Sequence, residues 1–453
     1  MENSVISVLI FILYIEMTLL STHALLTTAT AYVSNITLLP LSTGAKSLDG
    51  SPYGFYFVPY HGDVDAHKTR WTISIAGGGW CVGVDDCYAR SQQKTHDGEP
   101  GSLGSSTPWI GHAHGCSCMN TNQTDVETAS CNCIEMLYLD GGSFSGNVED
   151  PVAVPSKPGK FVHYRGIHNL DATLDYAFAK LGMADATELV VTGGSAGGLS
   201  TFLHTDRIAA RVRKGVKDPS KLLITAAPVV GYFLDHATYQ EAHPASAKAR
   251  ASDDDIGYSY PHSGNYSSWM QTVFSEQNVS SSLNSECLTN FTDNPHLCYM
   301  SPHMVTYVET PLFMFNSKFD AWQMDNDLQV PCKAGDAGHV KCNSTESAAI
   351  VQYGADFLTA LQPVIASQAR NGAFITSCIC HGCPWSTVKT GASGDVKTSY
   401  GHYAAWHTKM KTKALGKGQE VRVSSSEPSS IHIDTRGPNG DGAITDPLCM
   451  AFP

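Results

Sequence analysis

The apolar residues of this chain follow two spacings in turn. Trp71 to Ile75 alternates as a strand does, and Leu189-Val190-Val191-Thr192 is a short apolar run, β-branched in part, that ends in glycines. Glu135 to Leu139, Leu222 to Ala226, Pro311 to Asn316 and Ala373 to Ile375 also have strand character. Between them the period changes. Leu170, Leu174, Ala177, Phe178 and Leu181 recur at helical spacing, a helix-like segment follows Ser195 as far as about Arg213, and another runs from Glu346 to Ala369. Strands that alternate with helices predict an α/β fold with a mostly parallel central sheet and helices on both faces.

Two sections break this rhythm. Residues 81–133 are cysteine- and glycine-rich with little periodicity and read as a disulfide-pinned surface insertion. Residues 232–298 are polar and rich in Ser and Asp, and read as a cap or as excursions over a site. The span 25–420 is expected to form one catalytic domain with these insertions, and 421–453 an irregular tail whose Cys449 suggests a tied-down end. Val5 to Leu20 is largely apolar and leads to Thr22-His23-Ala24, so residues 1–24 are expected to be a signal peptide. No basic residue precedes the run and Glu16 interrupts it, which keeps an uncleaved anchor as the other reading. No later run is long and apolar enough to span a bilayer.

Composition narrows the setting. A net charge of −13 over 453 residues argues against general nucleic-acid binding. Fourteen cysteines, several in polar loop-like sequence such as Cys87, Cys116, Cys118, Cys131 and Cys133, imply an oxidising compartment. Sequons at Asn35, Asn122, Asn265, Asn278, Asn290 and Asn343 fit the same compartment. A secreted protein, extracellular or in a cell wall and monomeric, is expected. The cluster Cys378-Ile379-Cys380-His381-Gly382-Cys383 has zinc-ligand residue types, but ligands so crowded in sequence seldom all reach one tetrahedral ion. No metal and no cofactor is expected, and at least one disulfide should fix that loop instead.

Candidate chemistry centres on Gly193-Gly194-Ser195-Ala196-Gly197-Gly198. Between a strand and a helix, G-x-S-x-G becomes a nucleophile elbow, because small neighbours let the backbone turn sharply and lift the serine hydroxyl above the sheet. Its plain alternative is a glycine turn that merely joins two elements. Gly77-Gly78-Gly79, after the strand at Trp71, can expose backbone N–H groups to a developing oxyanion, and Asp140 to Gly146 is another glycine-rich loop, read as part of the site's rim. Ser195, Asp320 and His381 occur in the chain order of α/β hydrolases, the acid and the histidine each shortly after a strand. Asp325 and Asp327 compete with Asp320, and His402 and His407 with His381. Order alone leaves the choice open.

Five motifs together resemble a known family. Gly77 to Cys81 (GGGWC), Tyr138 to Gly146 (YLDGGSFSG), Gly193 to Gly198 (GGSAGG), Asn316 to Gln323 (NSKFDAWQ) and Ser377 to Cys383 (SCICHGC) are similar, in this order, to the motif set of the pectin acetylesterase and Notum family. The resemblance runs from about Leu38 to His407. It implies an α/β-hydrolase-like fold and an extracellular, metal-independent serine carboxylesterase, with Ser195 as nucleophile, Asp320 as orienting acid and His381 as base. Gly79, Trp80 and Ala196 match the family's oxyanion-hole positions.

The resemblance leaves two substrate readings. Plant pectin-type members usually carry Phe-Ala-His where Ile379-Cys380-His381 stands here, and the Cys116 to Cys133 section and the tail beyond Lys411 match no motif. Removal of acetyl from a pectin-like polysaccharide is the preferred reading. The alternative is Notum-like removal of a fatty acyl group from a protein, which requires a deep apolar pocket. A glycan-binding hydrolase homologue without turnover is the third reading, and the intact serine, aspartate and histidine count against it.

Overall fold

Among the described residues, nine strands form one sheet: β1 (Thr37–Leu38), β2 (Gly54–Val58), β3 (Arg70–Ile75), β4 (Asn132–Met136), β5 (Glu188–Gly194), β6 (Leu223–Val229), β7 (Phe313–Ser317), β8 (Gly372–Thr376) and β9 (Ile431–Ile433), in the order 1-2-4-3-5-6-7-8-9. The structure, a computed structural model, describes residues 35–60, 65–96, 99–109, 131–244, 264–332, 342–366, 370–383, 389–390, 397–415 and 430–434. The expected signal peptide at 1–24, Cys116, Cys118 and Cys449 lie outside the described residues. From β4 to β9 every neighbouring pair is parallel, while β2 runs antiparallel to both β1 and β4.

Alternation along the strands builds two cores. Leu189 and Val191 of β5, Ile73 of β3, Met314 of β7 and Ile375 of β8 belong to one cluster. Val190, Phe313, Phe315 and Phe374 face the other. The first is covered by α3 (Ala196–Gly215), which contributes Leu199, Phe202, Leu203, Ile208, Ala209 and Val212. The second is covered by α7 (Ser399–Leu415) through Tyr403, Trp406 and Met410. Each such aliphatic or aromatic side chain, removed from water, stabilises by about 1.5–3 kcal/mol, so both faces need a helical layer. The other helices used below are α1 (Val84–Ser91), α2 (Gly166–Tyr176), α4 (Tyr266–Glu276), α5 (Ala321–Asn326) and α6 (Ser344–Ala360).

Several elements differ from the sequence expectation in ways that have physical causes. β4 begins and ends earlier than Glu135 to Leu139, because its pairing with β3 starts at Asn132 opposite Trp71 and ends at Met136 opposite Ile75. The long helix expected from Glu346 ends at Ala360, and a separate turn, Gln362–Ala366, starts at the site of Pro363, whose ring and missing N–H prevent continuation. Part of the tail expected to be irregular is ordered. Ile431–Ile433 adds the parallel edge strand β9, three residues too short to show a period. Cystines join Cys81 to Cys87, Cys287 to Cys298, Cys332 to Cys342 and Cys380 to Cys383, the last within the loop where one was expected.

Because these strands run parallel, the carboxyl ends of β3, β5, β7 and β8 lie along one edge of the sheet, with β6 between β5 and β7. The glycine loop, Ser195, Asp320 and His381 follow those four ends.

Candidate active site

Ser195 occupies the turn between β5 and α3 with φ of 56° and ψ of −124°, a backbone region that costs a residue with a side chain roughly 1–3 kcal/mol. Its N–H donates to the Val229 carbonyl at 3.0 Å, which holds the turn against β6. Glycine is obligatory beyond it: a Cβ on Gly197 would collide with the carbonyl oxygens of Ile75 and Ala76, and one on Gly198 with the carbonyl oxygen of Val229 and the Cα and N of Gly231. The first turn of α3 is thus wedged between the ends of β3 and β6, and the hydroxyl projects from the sheet edge.

The structure brings Ser195, His381 and Asp320 into one hydrogen-bonded line. His381 Nε2 lies 2.8 Å from Ser195 Oγ, and Nδ1 lies 2.9 and 3.0 Å from the two carboxylate oxygens of Asp320. A carboxylate accepts only, so Nδ1 carries the hydrogen and Nε2 presents its lone pair to the serine O–H. Asp320 is fully buried, whereas the His381 side chain is 25% exposed. The acid is itself positioned, since Asp320 caps α5 and Oδ1 accepts from the Gln323 N–H at 3.0 Å. Asp434, just past β9, clamps both loops. Lys318 donates to the Asp434 carbonyl at 2.7 Å, and the Ser377 hydroxyl donates to the Asp434 carboxylate at 2.6 Å.

The glycine loop is held by its carbonyls. Arg90 donates to the oxygens of Gly78 and Trp80 at 2.5 and 2.9 Å, and the Tyr138 hydroxyl donates to that of Gly79 at 2.6 Å. Across a planar trans peptide the N–H points opposite to the carbonyl. Fixing the oxygens of Gly78 and Gly79 therefore aims the amides of Gly79 and Trp80 away from Arg90 and Tyr138. Gly79 needs its φ of 64° for this path. Among the described residues, no group accepts a hydrogen bond from the amides of Gly79, Trp80 or Ala196. Trp80 Nε1 donates to Ser143 Oγ at 2.8 Å, and that hydroxyl donates to the Ala196 carbonyl at 2.8 Å, linking the glycine loop to the elbow.

The Asp140–Gly146 loop, read as part of the site's rim, is buried and braces the glycine loop and the elbow through Ser143. Asp140 accepts from the amides of Phe144 at 2.8 Å and Gly142 at 3.2 Å; burial pushes its carboxyl up to about 7, against the pull of those amides. His204 of α3 lies 2.8 Å from Ser145 Oγ, and burial lowers its pKa to about 3, which keeps the ring neutral. Beside His381, the rings of Trp80, Phe233, Tyr266 and Trp322 contact one another in all six pairings, with centroids 5.1–5.9 Å apart. Phe233 and Trp322 lie 6.1 and 6.3 Å from the imidazole.

The sequence rivals lie elsewhere. His407 is 3.8 Å from Glu188, the first residue of β5. A seven-residue strand separates that end from Ser195, roughly 20 Å at ordinary strand rise. Burial opposes the charge on Glu188, but His407, Lys411 and Arg70 hold its carboxyl below the usual range. His402 packs on Phe374 and His432. Asp327 is buried against Tyr353, 2.6 Å from its hydroxyl. Among the described residues, Cys332, Cys342 and Glu346 have metal-ligand spacing, but a disulfide joins the two cysteines and leaves no thiolate for an ion. Arg90, Tyr138 and Ser143 were not legible as supports, since each acts through a contact distant in sequence.

The sequence profile of the Pectinacetylesterase family matches residues 27–253 and 254–409. Pectin acetylesterase 11 of Arabidopsis thaliana is 27% identical over 362 residues, which cover 78% of this chain and 80% of that protein. Palmitoleoyl-protein carboxylesterase NOTUM of Drosophila melanogaster is 25% identical over 290 residues, covering 63% of this chain and 37% of that one. The solved structure of the Wnt deacylase Notum from Drosophila superposes with a TM-score of 0.62 at 20% identity, over 84% of this chain and 94% of the other, and has the same fold.

Proposed function

The chain belongs to the pectinacetylesterase family and is a carboxylic ester hydrolase, and on that premise we propose that it is a secreted serine esterase that removes acetyl groups from a pectin-like cell-wall polysaccharide. Ser195 Oγ attacks the ester carbonyl while His381 Nε2 takes its proton; Asp320 holds the ring and stabilises imidazolium. The oxyanion is received by the amides of Gly79, Trp80 and Ala196, each such donor contributing on the order of 10²–10³ in rate. His381 then gives the proton to the leaving sugar hydroxyl. A water molecule, deprotonated by the same nitrogen, releases acetate from the acyl-enzyme. The 2.8 Å contact between His381 and Ser195 is the observation that carries this mechanism.

The choice of acetyl rests on the four rings beside the base. A polymethylene chain lying between two rings needs a contact of about 4 Å on each side, hence about 8 Å between rings. The observed centroid spacings of 5.1–5.9 Å leave no such slot, which supports a short acyl group over a fatty one. The relatives named for pectin acetylesterase activity also match over more of their length than the one named for palmitoleoyl-protein carboxylesterase activity. Secretion is supported by the cystines and the sequons. A chain-length series of 4-nitrophenyl esters, followed by acetate release from acetylated pectin and xylan, tests the assignment. Fastest turnover on acetate with release from pectin is expected; a preference for octanoate or longer esters would overturn it in favour of lipid deacylation.

A further inference from the structure

Asp327 takes no part in the relay, yet a short chain of buried side chains connects it to Asp320. Its Oδ2 lies 2.6 Å from the Tyr353 hydroxyl oxygen, which lies 2.8 Å from Gln323 Oε1. Gln323 Oε1 also accepts from the Leu234 N–H at 3.0 Å, and Nε2 donates to the Tyr232 carbonyl at 3.1 Å. Those two backbone partners fix which way the amide faces, because exchanging its oxygen and nitrogen would break both bonds. The backbone N–H of the same Gln323 donates to Asp320. Asp320, Gln323, Asp327 and Tyr353 all have 0% exposure.

Counting hydrogens decides the state of this chain. A tyrosine hydroxyl has one hydrogen. If Asp327 were ionised, that hydrogen would face two acceptors, and one of the two close contacts would set lone pair against lone pair. Among the described residues in contact with the Tyr353 hydroxyl, the missing hydrogen has one source, the Asp327 carboxyl. We propose that Asp327 is held as a neutral acid whose O–H donates to Tyr353, turning the tyrosine hydrogen onto Gln323 and so fixing the α5 turn that presents Asp320 to His381. Asp327 and Tyr353 are positioning residues, and this role rests on the reading of Asp320 as the orienting acid.

The surroundings agree. Apart from Tyr353 of α6, the groups that act on Asp327 are Asp235, Asp320 and Glu241, all acidic, and burial leads them in pushing its carboxyl well above the usual range. His236, whose ring lies 4.8 Å from that of Tyr353, is itself paired with Asp356 at 3.1 Å. Among the described residues, Oδ1 of Asp327 has no hydrogen-bond partner, a cost far smaller for a neutral carbonyl oxygen than for a carboxylate. A neutral Asp327 also keeps a further buried negative charge away from Asp320 and the base.

The test uses the intact protein and the variants D327N, D327A and Y353F. An infrared difference spectrum of wild type against D327N at neutral pH is expected to show the C=O stretch of a protonated carboxylic acid. With 4-nitrophenyl acetate, D327A and Y353F are expected to lose about tenfold or more in kcat with KM little changed, the cost of a slightly misplaced acid, and D327N to restore most of the loss. The acidic limb of the kcat/KM profile should sit at the same pH in D327N and wild type, since no charge is removed. No carboxylic-acid band, or a limb moved to lower pH in D327N, would show an ionised Asp327 and overturn the proposal. So would wild-type kcat in D327A or Y353F. If D327A fails to fold, the band and Y353F still decide. The infrared reading does not depend on turnover, whereas activity surviving in Ser195→Ala would remove the esterase mechanism itself, so the two failures are distinguishable.

Discussion

Arg90 grips the carbonyl oxygen of Trp80 from α1, a helix joined back to the glycine loop by the Cys81–Cys87 cystine. One guanidinium reaches both Gly78 and Trp80, which an ammonium cannot do with the same planar fork. Arg90→Lys is therefore expected to lower kcat roughly tenfold to a hundredfold through misaimed amides, with KM on 4-nitrophenyl acetate little changed. Unchanged kcat in a folded variant would mean that the loop holds its shape without this grip.

The proposed acid can be separated from its sequence neighbours. Asp320→Asn should keep the shape of the site but favour the wrong imidazole tautomer, with a loss on the order of 10⁴ in kcat by analogy with other triads. Asp325→Asn should cost little, and Ser195→Ala should abolish both turnover and labelling by a fluorophosphonate. Equal, mild effects at Asp320 and Asp325 would place the acid elsewhere.

The ring cluster offers a gain-of-function test. Trp322→Ala removes a ring within 5.2–5.9 Å of its three aromatic neighbours and 6.3 Å from His381. Activity on hexanoate and octanoate esters is expected to rise at least severalfold relative to acetate. A chain-length profile identical to wild type would show that these rings do not bound the acyl group.

Stability should depend on pH through Glu135. Burial raises its carboxyl from the ordinary value to about 8, so the folded state binds a proton more tightly than the unfolded chain. The resulting stabilisation is complete below about pH 4 and is lost as pH rises through about 8. Glu135→Gln, neutral throughout, should therefore gain in Tm over wild type as pH rises from 5 to 9, measured by calorimetry. A constant Tm difference across that range would show that Glu135 keeps the same protonation in both states.

How far the sequence spoke depended on how local each cause was. The Ser195 turn was readable because its glycines, strand and helix are contiguous, and the fold followed from alternation at Trp71 to Ile75, the apolar run at Leu189 to Val191 and helical spacing at Leu170 to Leu181. The burial of Asp140 to Gly146 was not legible, because a glycine-rich loop looks the same whether it faces water or, as here, is buried with Asp140 tying back its own amides. Arg90 and Tyr138 left no signal, since a lone arginine among cysteines and a tyrosine at a strand end acquire their partners only when the chain returns on itself. Asp320 was chosen over Asp327 by the motif resemblance, since chain order left both open: both are fully buried, and the direction of the α5 turn separates an acid that faces imidazole from one that faces a tyrosine.

Asp434, just past β9, is bonded to Lys318 and Ser377, residues that stand two before the proposed acid and four before the proposed base. The last strand of the sheet thus latches the two loops that the relay depends on. Synthesis delivers this latch after everything else in the sheet, so a nascent chain holding Ser195, Asp320 and His381 still lacks the residue that pins two of them. Ester hydrolysis should accordingly begin only once the chain has been made through Asp434, and proteolytic trimming back to residue 429 should silence the enzyme while leaving its serine and its elbow in place.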